Sequence, residues 1–285
     1  MTEQAPPVDI GGWQYHWDTA PRPFLHPVTT PAGVTLSVDS PADHPWHHAL
    51  WFTIKFVNGE NFWEEYDEFG LLVSDGAPSV QRYADGSEVL INRIEWMRPG
   101  PGGPGTGARA LTQSLRLRSV RTPELCELDW DVSLVPDEDV VLDRTPFTTW
   151  GGYGGLTFRG RPDWHDTALR LEGGAPKERI LGDRGRWCSL EGPVAPSDDP
   201  VGLVMFDHPA NPGFPNCWYA STRADTYGEQ GWSNFANAAL LWDGPIPLTA
   251  GETLRVRHRF ATWDGVRPGG ALARDWERWI EQAPG

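Results

Sequence analysis

Leu128-Asp129-Trp130-Asp131-Val132-Ser133-Leu134 sets an apolar residue at every second position and an acidic or polar one between. That period of two is the pattern of a strand with one face buried and the other in water. Val89 with Ile91, Leu115 with Leu117, and later Leu254, Val256, His258 and Phe260 repeat it, with Arg255, Arg257 and Arg259 in the last gaps. The intervening stretch from Gly100 to Gly107 is too rich in glycine and proline to be anything but a connection. Together these segments predict an antiparallel meander with arginines and aspartates on its outer face. Val201-Gly202-Leu203-Val204-Met205-Phe206 is apolar throughout and predicts a strand covered on both faces. A helix is expected over 270–282, where Leu272, Trp276, Trp279 and Ile280 fall on one stripe that packs against the sandwich.

The 285 residues are read as one β-sandwich domain over 1–285, with 1–20 as an irregular arm. Sixteen tryptophans with 27 prolines and 32 glycines favour strands and turns over helices. Indole faces also stack on sugar rings, so a small-molecule carbohydrate is the natural ligand to expect, with most of the tryptophans packing the core. A net charge of −15, from 39 acidic and 24 basic residues, argues against nucleic acid and against an anionic membrane surface. No stretch approaches the ~18 apolar residues of a membrane helix, and the first residues lack the pattern of a signal peptide, so the chain reads as cytoplasmic. Cys126, Cys188 and Cys217 are widely spaced and form no Cys-x-x-Cys pair; buried reduced thiols are expected.

Chemistry concentrates in His44-Pro45-Trp46-His47-His48-Ala49-Leu50-Trp51-Phe52, which holds three of the eight histidines where a loop enters a strand. On a regular strand His47 and His48 point to opposite faces, so only one of them shares a pocket with His44 unless the backbone bulges. The spacing suits proton transfer or a divalent metal such as Zn, Mn or Fe, though no cofactor is firmly indicated. Asn58-Gly59 signals a tight hairpin that can bring Trp63 and Glu64 or Glu65 alongside this strand, where the acids either supply carboxylates to imidazoles or form a solvated face. The glycines from Gly151 to Gly155 precede a strand rather than a helix, which excludes a nucleotide-binding loop. They allow close approach of a ligand or a crowded neighbour, with Arg159 as an anchor for an anionic or hydroxyl-rich group. Asp207 and His208 emerge where the buried strand ends. The candidate catalytic set is His44, His47, His48, Arg159 and His208, and the candidate substrate contacts are Trp46, Asn58, Trp63, Tyr153, Asn211, Trp218 and Tyr219.

Arg22-Pro23-Phe24-Leu25-His26-Pro27, Asp43-His44-Pro45-Trp46-His47-His48, Asn58-Gly59-Glu60-Asn61-Phe62-Trp63, Gly155-Leu156-Thr157-Phe158-Arg159 and Asp207-His208-Pro209-Ala210-Asn211 resemble, in this order, the bacterial PmoA-like family labelled "methane oxygenase PmoA". The resemblance implies an antiparallel β-sandwich, a supersandwich like that of the galactose mutarotases, in a sugar-catabolic setting. In mutarotase-like enzymes a histidine acts as general acid and a glutamate as general base. His47, His48 or His208 would supply the first, and Glu229, Glu64 or Glu65 the second.

Three functions follow. The first is a carbohydrate-active lyase, hydrolase or epimerase that uses histidine acid–base chemistry on a small sugar, glycoside or keto sugar. The second is a lyase or hydrolase whose metal is held by His44, one of His47 or His48, and His208. The third is a sugar-binding module without catalysis. An oxygenase ranks last, because non-haem iron wants two histidines and a carboxylate on one face.

Overall fold

The computed structural model describes residues 5–145, 152–223 and 233–282. Among them the strands pair antiparallel throughout and form two large sheets and a small one. The eight-stranded sheet runs, edge to edge, through Val8–Ile10, Trp13–His16, Phe24–Leu25, Leu50–Ile54, Gly154–Arg159, Phe235–Ala238, Cys217–Ser221 and Arg179–Arg184. The nine-stranded sheet runs through Ala168–Leu171, Trp187–Pro193, Pro200–Asp207, Leu254–Asp264, Cys126–Pro136, Arg109–Arg121, Glu88–Met97 and Leu71–Ser74, with Ser79–Arg82 also paired to Glu88–Met97. Ile246–Leu248, Val140–Asp143, Phe56–Val57 and Glu60–Asn61 make the small sheet. This is an all-β sandwich with one short C-terminal helix.

A single apolar core joins the two large sheets. Leu25, Leu50, Phe158, Ala236, Ala220 and Ile180 line one inner face, while Leu117, Trp130, Val132, Val256 and Phe260 line the other. The period-two pattern of 128–134 is met as expected, with Leu128, Trp130, Val132 and Leu134 inside. Val89 is buried as expected, but the expectation for Ile91 is corrected: Ile91 is 52% exposed, while Leu90, Asn92, Ile94 and Trp96 are buried. Register is the cause: Leu90 lies opposite Leu117, and Ile91 opposite Arg116, so the partner strand turns Ile91 to the outer face.

Val201, Leu203 and Met205 face the core, whereas Val204 and Phe206 meet Leu272, Trp276 and Trp279 of the helix Gly269–Gln282. The continuous apolar run is thus explained by cover on both sides. The N-terminal stretch is not an irregular arm in its described part. Val8–Ile10 and Trp13–His16 form a hairpin on the edge of the eight-stranded sheet, turned by Gly11 and Gly12 at φ of 62° and 83°. The strand that follows the histidine loop breaks at Lys55, between Leu50–Ile54 and Phe56–Val57, where the chain leaves the large sheet for the small one. All three cysteines are free and buried.

Candidate functional site

The pleat of the eight-stranded sheet builds the floor of the site. Register carries one row across six strands: His16, Phe24, Trp51, Thr157, Asn237 and Tyr219 lie side by side. The next row, from Leu25 to Ala220, points into the core. The first row therefore faces away from the core, and it is buried there by Ala49, Trp63, Phe235 and Ala239. Gly155 permits the close strand contact beneath it, since a Cβ at this φ of 105° would stand 2.7 Å from the Ala238 carbonyl oxygen.

The loop from Asp39 to His48 folds over this floor. An Asp39–His48 bridge closes it, and the His47 amide donates to the His44 carbonyl at 2.9 Å, forming a tight turn. That turn stacks the His44 and His47 rings at 4.7 Å. Ala49, at a left-handed φ of 55°, then redirects the chain into the strand. His47 and His48 diverge. His47 packs among Trp51, Phe235 and Trp63, whereas His48 lies on Phe24.

A narrow cavity of about 60 Å³ opens beside this loop, walled by His44, Trp46, His47, Trp63, Glu64 and Tyr153 above Tyr219 and Phe235. Trp63 reaches it from the Asn58-Gly59 hairpin because Arg22 donates to its carbonyl at 2.7 Å and Asn61 caps its amide at 2.9 Å. Glu64 is paired to the buried Lys55. Burial lowers the Lys55 pKa despite that carboxylate.

Two charged relays support the walls. Arg159 Nη2 donates to Asp43 Oδ2 at 2.6 Å, and His44 Nδ1 lies 3.3 Å from the same oxygen. Burial alone would raise Asp43, but His44 and Arg159 outweigh it and hold the carboxyl below its usual range. An ionised Asp43 keeps the proton of His44 on Nδ1 and leaves Nε2 as the basic nitrogen. In the second relay His48 Nδ1 meets Asp39 at 2.7 Å and Nε2 meets Glu65 at 2.6 Å. Burial pulls the His48 pKa down, and the two carboxylates more than reverse it. Its neighbour His47 goes the opposite way. Desolvation, then the charge of Arg159, holds it neutral, with a pKa well below the ordinary value. Trp51 Nε1, Tyr219 Oη, Asn237 Oδ1 and Asp43 Oδ1 are buried and have no hydrogen-bond partner among the described residues. Of these side chains, Tyr219 walls the cavity.

The structure gathers His44, His47, Trp46, Trp63, Tyr153 and Tyr219 at one cavity, with Arg159 behind it and His48 as a clamp below. Four expected site residues lie elsewhere. His208 caps a strand of the other large sheet, against Trp279, with Nδ1 accepting from the Ala210 amide at 3.0 Å. Burial and then Arg257 and Arg255 lower its pKa to about 4. It cannot complete a ligand set with the loop histidines, and among the described residues no group of three or more His, Cys, Asp or Glu is placed to hold a metal ion. Asn58 is an exposed turn residue at φ 51°, accepting from the Val141 amide at 2.8 Å. Asn211 is spent on Asp207 and the Arg257 backbone. Trp218 points into the core and donates to the Gly185 carbonyl at 2.9 Å. The polar-aromatic stretch from Gly228 to Trp232, with Glu229, and that from Thr148 to Trp150 lie outside the described residues. Sequence reasoning missed Asp39, Lys55, Thr157, Phe235 and Asn237. An asparagine inside the apolar strand Phe235-Ala236-Asn237-Ala238 was the available signal, since a buried amide needs partners.

A family model described as "Family of unknown function (DUF6807)" matches residues 7–277. This match corrects the expected membership in the PmoA-like family, for which no model matches. No curated protein matches the chain. Among solved structures, an α-galactosidase from Lactobacillus brevis is 10% identical at a TM-score of 0.38, over 74% of this chain and 28% of that one. A galactose mutarotase related enzyme from Lactobacillus acidophilus is 8% identical at 0.40, over 93% and 98%. A putative aldose 1-epimerase from Escherichia coli K12 is 12% identical at 0.38, over 90% and 94%. The chain spans about a quarter of the length of the α-galactosidase that it matches. No described helix is long and apolar enough to cross a membrane.

Proposed function

The chain belongs to the family of unknown function DUF6807, and from the chemistry of its own recess we propose a carbohydrate-active enzyme that moves protons on a small sugar, glycoside or keto sugar. One observation carries the reading: an imidazole oriented by an Asp–Arg pair and a carboxylate line the same aromatic cavity. His44 is the general base, taking a proton at Nε2 while Asp43 steadies the imidazolium that forms. Glu64 is its partner across the cavity, and the neutral His47 donates or accepts a hydrogen bond without competing for the proton. Trp46, Trp63 and Tyr153 supply flat faces for the sugar ring. A cavity of about 60 Å³ is too small for a whole ring, so the reducing or carbonyl-bearing end enters and the rest lies against Trp46 and the exposed Tyr66 at the mouth.

The test is a panel of aldoses, keto sugars and aryl glycosides followed by polarimetry, by solvent deuterium uptake and by release of the leaving group. His44→Gln and Glu64→Gln should each lower turnover at least about a hundredfold, while His208→Ala leaves it unchanged. Turnover indifferent to both His44→Gln and Glu64→Gln refutes the reading. Saturable sugar binding that needs Trp63 but brings no turnover leaves a binding module in its place.

A further inference from the structure

Tyr219 lies on the strand Cys217–Ser221, in the row that register turns away from the core, with Asn237 as its partner on the next strand. It is 2% exposed, and its ring belongs to a circuit of rings that closes around the aromatic cavity. Ring centres run from His47 to Phe235 at 5.1 Å, to Tyr219 at 5.7 Å, to Tyr153 at 5.4 Å, to Trp63 at 5.1 Å and back to His47 at 6.4 Å. Tyr219 therefore stands across the circuit from His47, the ring on which His44 stacks.

Packing explains the ring but not its oxygen. Tyr219 Oη is buried and has no hydrogen-bond partner among the described residues. Asn237 commits its amide nitrogen to Thr157 Oγ1 at 2.7 Å and the Leu156 carbonyl at 3.3 Å, and makes no bond to Tyr219. Phenylalanine would fill the same space without stranding a hydroxyl, which is costly to bury unpaired. The carboxylates around the recess are divided unequally. Asp43 serves Arg159 and His44, whereas Asp39 and Glu65 serve His48. Of these acids and Glu64, only Glu64 walls the cavity, with Oε2 on Lys55 and Oε1 without a hydrogen bond among the described residues. Glycoside hydrolysis by paired carboxyl groups needs two of them flanking one bond. This cavity offers one carboxylate, one oriented imidazole and one phenol without a partner.

We propose that Tyr219 donates its hydroxyl hydrogen to the carbonyl oxygen of the substrate, and that the substrate is an open-chain sugar with a hydroxyl on the carbon next to that carbonyl. The inference rests on the acid–base reading of the same recess and narrows it to isomerisation. His44 Nε2 takes the proton from the hydroxyl-bearing carbon; the C–H pair becomes a C=C bond, and the carbonyl π pair moves onto the oxygen that Tyr219 holds. Glu64 then takes the proton of the neighbouring hydroxyl and delivers it to that oxygen. The pair left on the second oxygen forms the new carbonyl, and the C=C pair takes back the His44 proton at the former carbonyl carbon. An aldose thus becomes a ketose, or the reverse, with no leaving group, no oxidant and both protons returned. Two reacting carbons with their oxygens suit a cavity of about 60 Å³.

The test follows deuterium wash-in from heavy water and isomer formation by NMR, with the full chain, on short-chain and hexose aldoses and ketoses and on aryl glycosides. Tyr219→Phe should lower kcat about a hundredfold with KM little changed, the loss of one donor to a developing oxyanion. Its urea midpoint should be no lower than that of the wild type, because the oxygen removed has no protein partner to lose. A tyrosine kept for structure would show the reverse. An aldonohydroxamate, planar like the enediolate, should bind the wild type more tightly than the sugars and lose about a hundredfold in Tyr219→Phe. Wash-in that needs His44 but ignores Tyr219→Phe, or a strongly destabilised Tyr219→Phe, overturns the assignment of Tyr219 and leaves the acid–base reading standing. Turnover that needs His44 but is confined to glycosides, without wash-in, overturns the substrate class and again spares that reading. No turnover on any member of the panel removes both.

Discussion

The aromatic recess and the arginine face use the same residue types and differ in how much water reaches them. Around the recess, Asp43 and Arg159 are 5% and 2% exposed and share one oxygen with His44. On the arginine face, the outer side of the nine-stranded sheet, Asp131 and Arg255 are 17% and 44% exposed and pair with each other at 2.6 Å. Enclosure turns an ion pair into a device that fixes an imidazole's tautomer, because a buried carboxylate has no water to fall back on. Exposure leaves the ladder a weak fastener.

The largest expected effect breaks this contrast most directly. Asp43→Ala strands Arg159 and His44 without their carboxylate and should cost about 3–5 kcal/mol in urea unfolding. Asp131→Ala should cost no more than about 1 kcal/mol, since its pair is largely screened. Equal costs would mean that enclosure does not distinguish the two regions.

The alternating pattern made the sandwich legible, and the apolar run from Val201 to Phe206 made its doubly covered strand legible. A hairpin bringing Glu64 and Glu65 to the histidines was also readable from Asn58-Gly59, and the contact between Glu65 and His48 is its outcome. What could not be read was which sheet each candidate joins. His208 and His47 look alike in sequence, but His208 follows a strand of one large sheet and His47 leads into a strand of the other, and no local signal carries sheet membership. Ile91 failed for a related reason. Its face is set by register against Arg116, a contact that strand periodicity alone leaves one residue ambiguous. The arginine face was visible as alternation and was read as a solvated surface. Which aspartate serves which arginine is decided only by side-chain geometry.

A middle-sized effect separates two adjacent histidines by pH. His48 is raised when folded, so its clamp contributes fully below the unfolded value of about 6.5 and fades as pH rises through the folded value. His47 is lowered, so its contribution is present above about 6.5 and is lost as pH falls. Wild type should therefore gain over His48→Ala on acidification and lose against His47→Phe. Urea midpoints at several pH values, with imidazole proton shifts by NMR, give the answer. Parallel titration of the two rings would remove the distinction between clamp and cavity wall.

The smallest expected effect concerns a site-like residue in neither region. Asn58 has the side chain of a sugar ligand, yet its φ of 51° and its bond to the Val141 amide assign it to the turn. Glycine adopts that backbone freely and loses only two side-chain bonds at an exposed position, from the Val141 amide and to the Asp139 carbonyl. Asn58→Gly should thus change stability by less than about 1 kcal/mol and leave sugar titrations as they are. A large loss of sugar binding with stability intact would move the recess toward the small sheet, and with it the boundary between residues that build the hairpin and residues that meet the substrate.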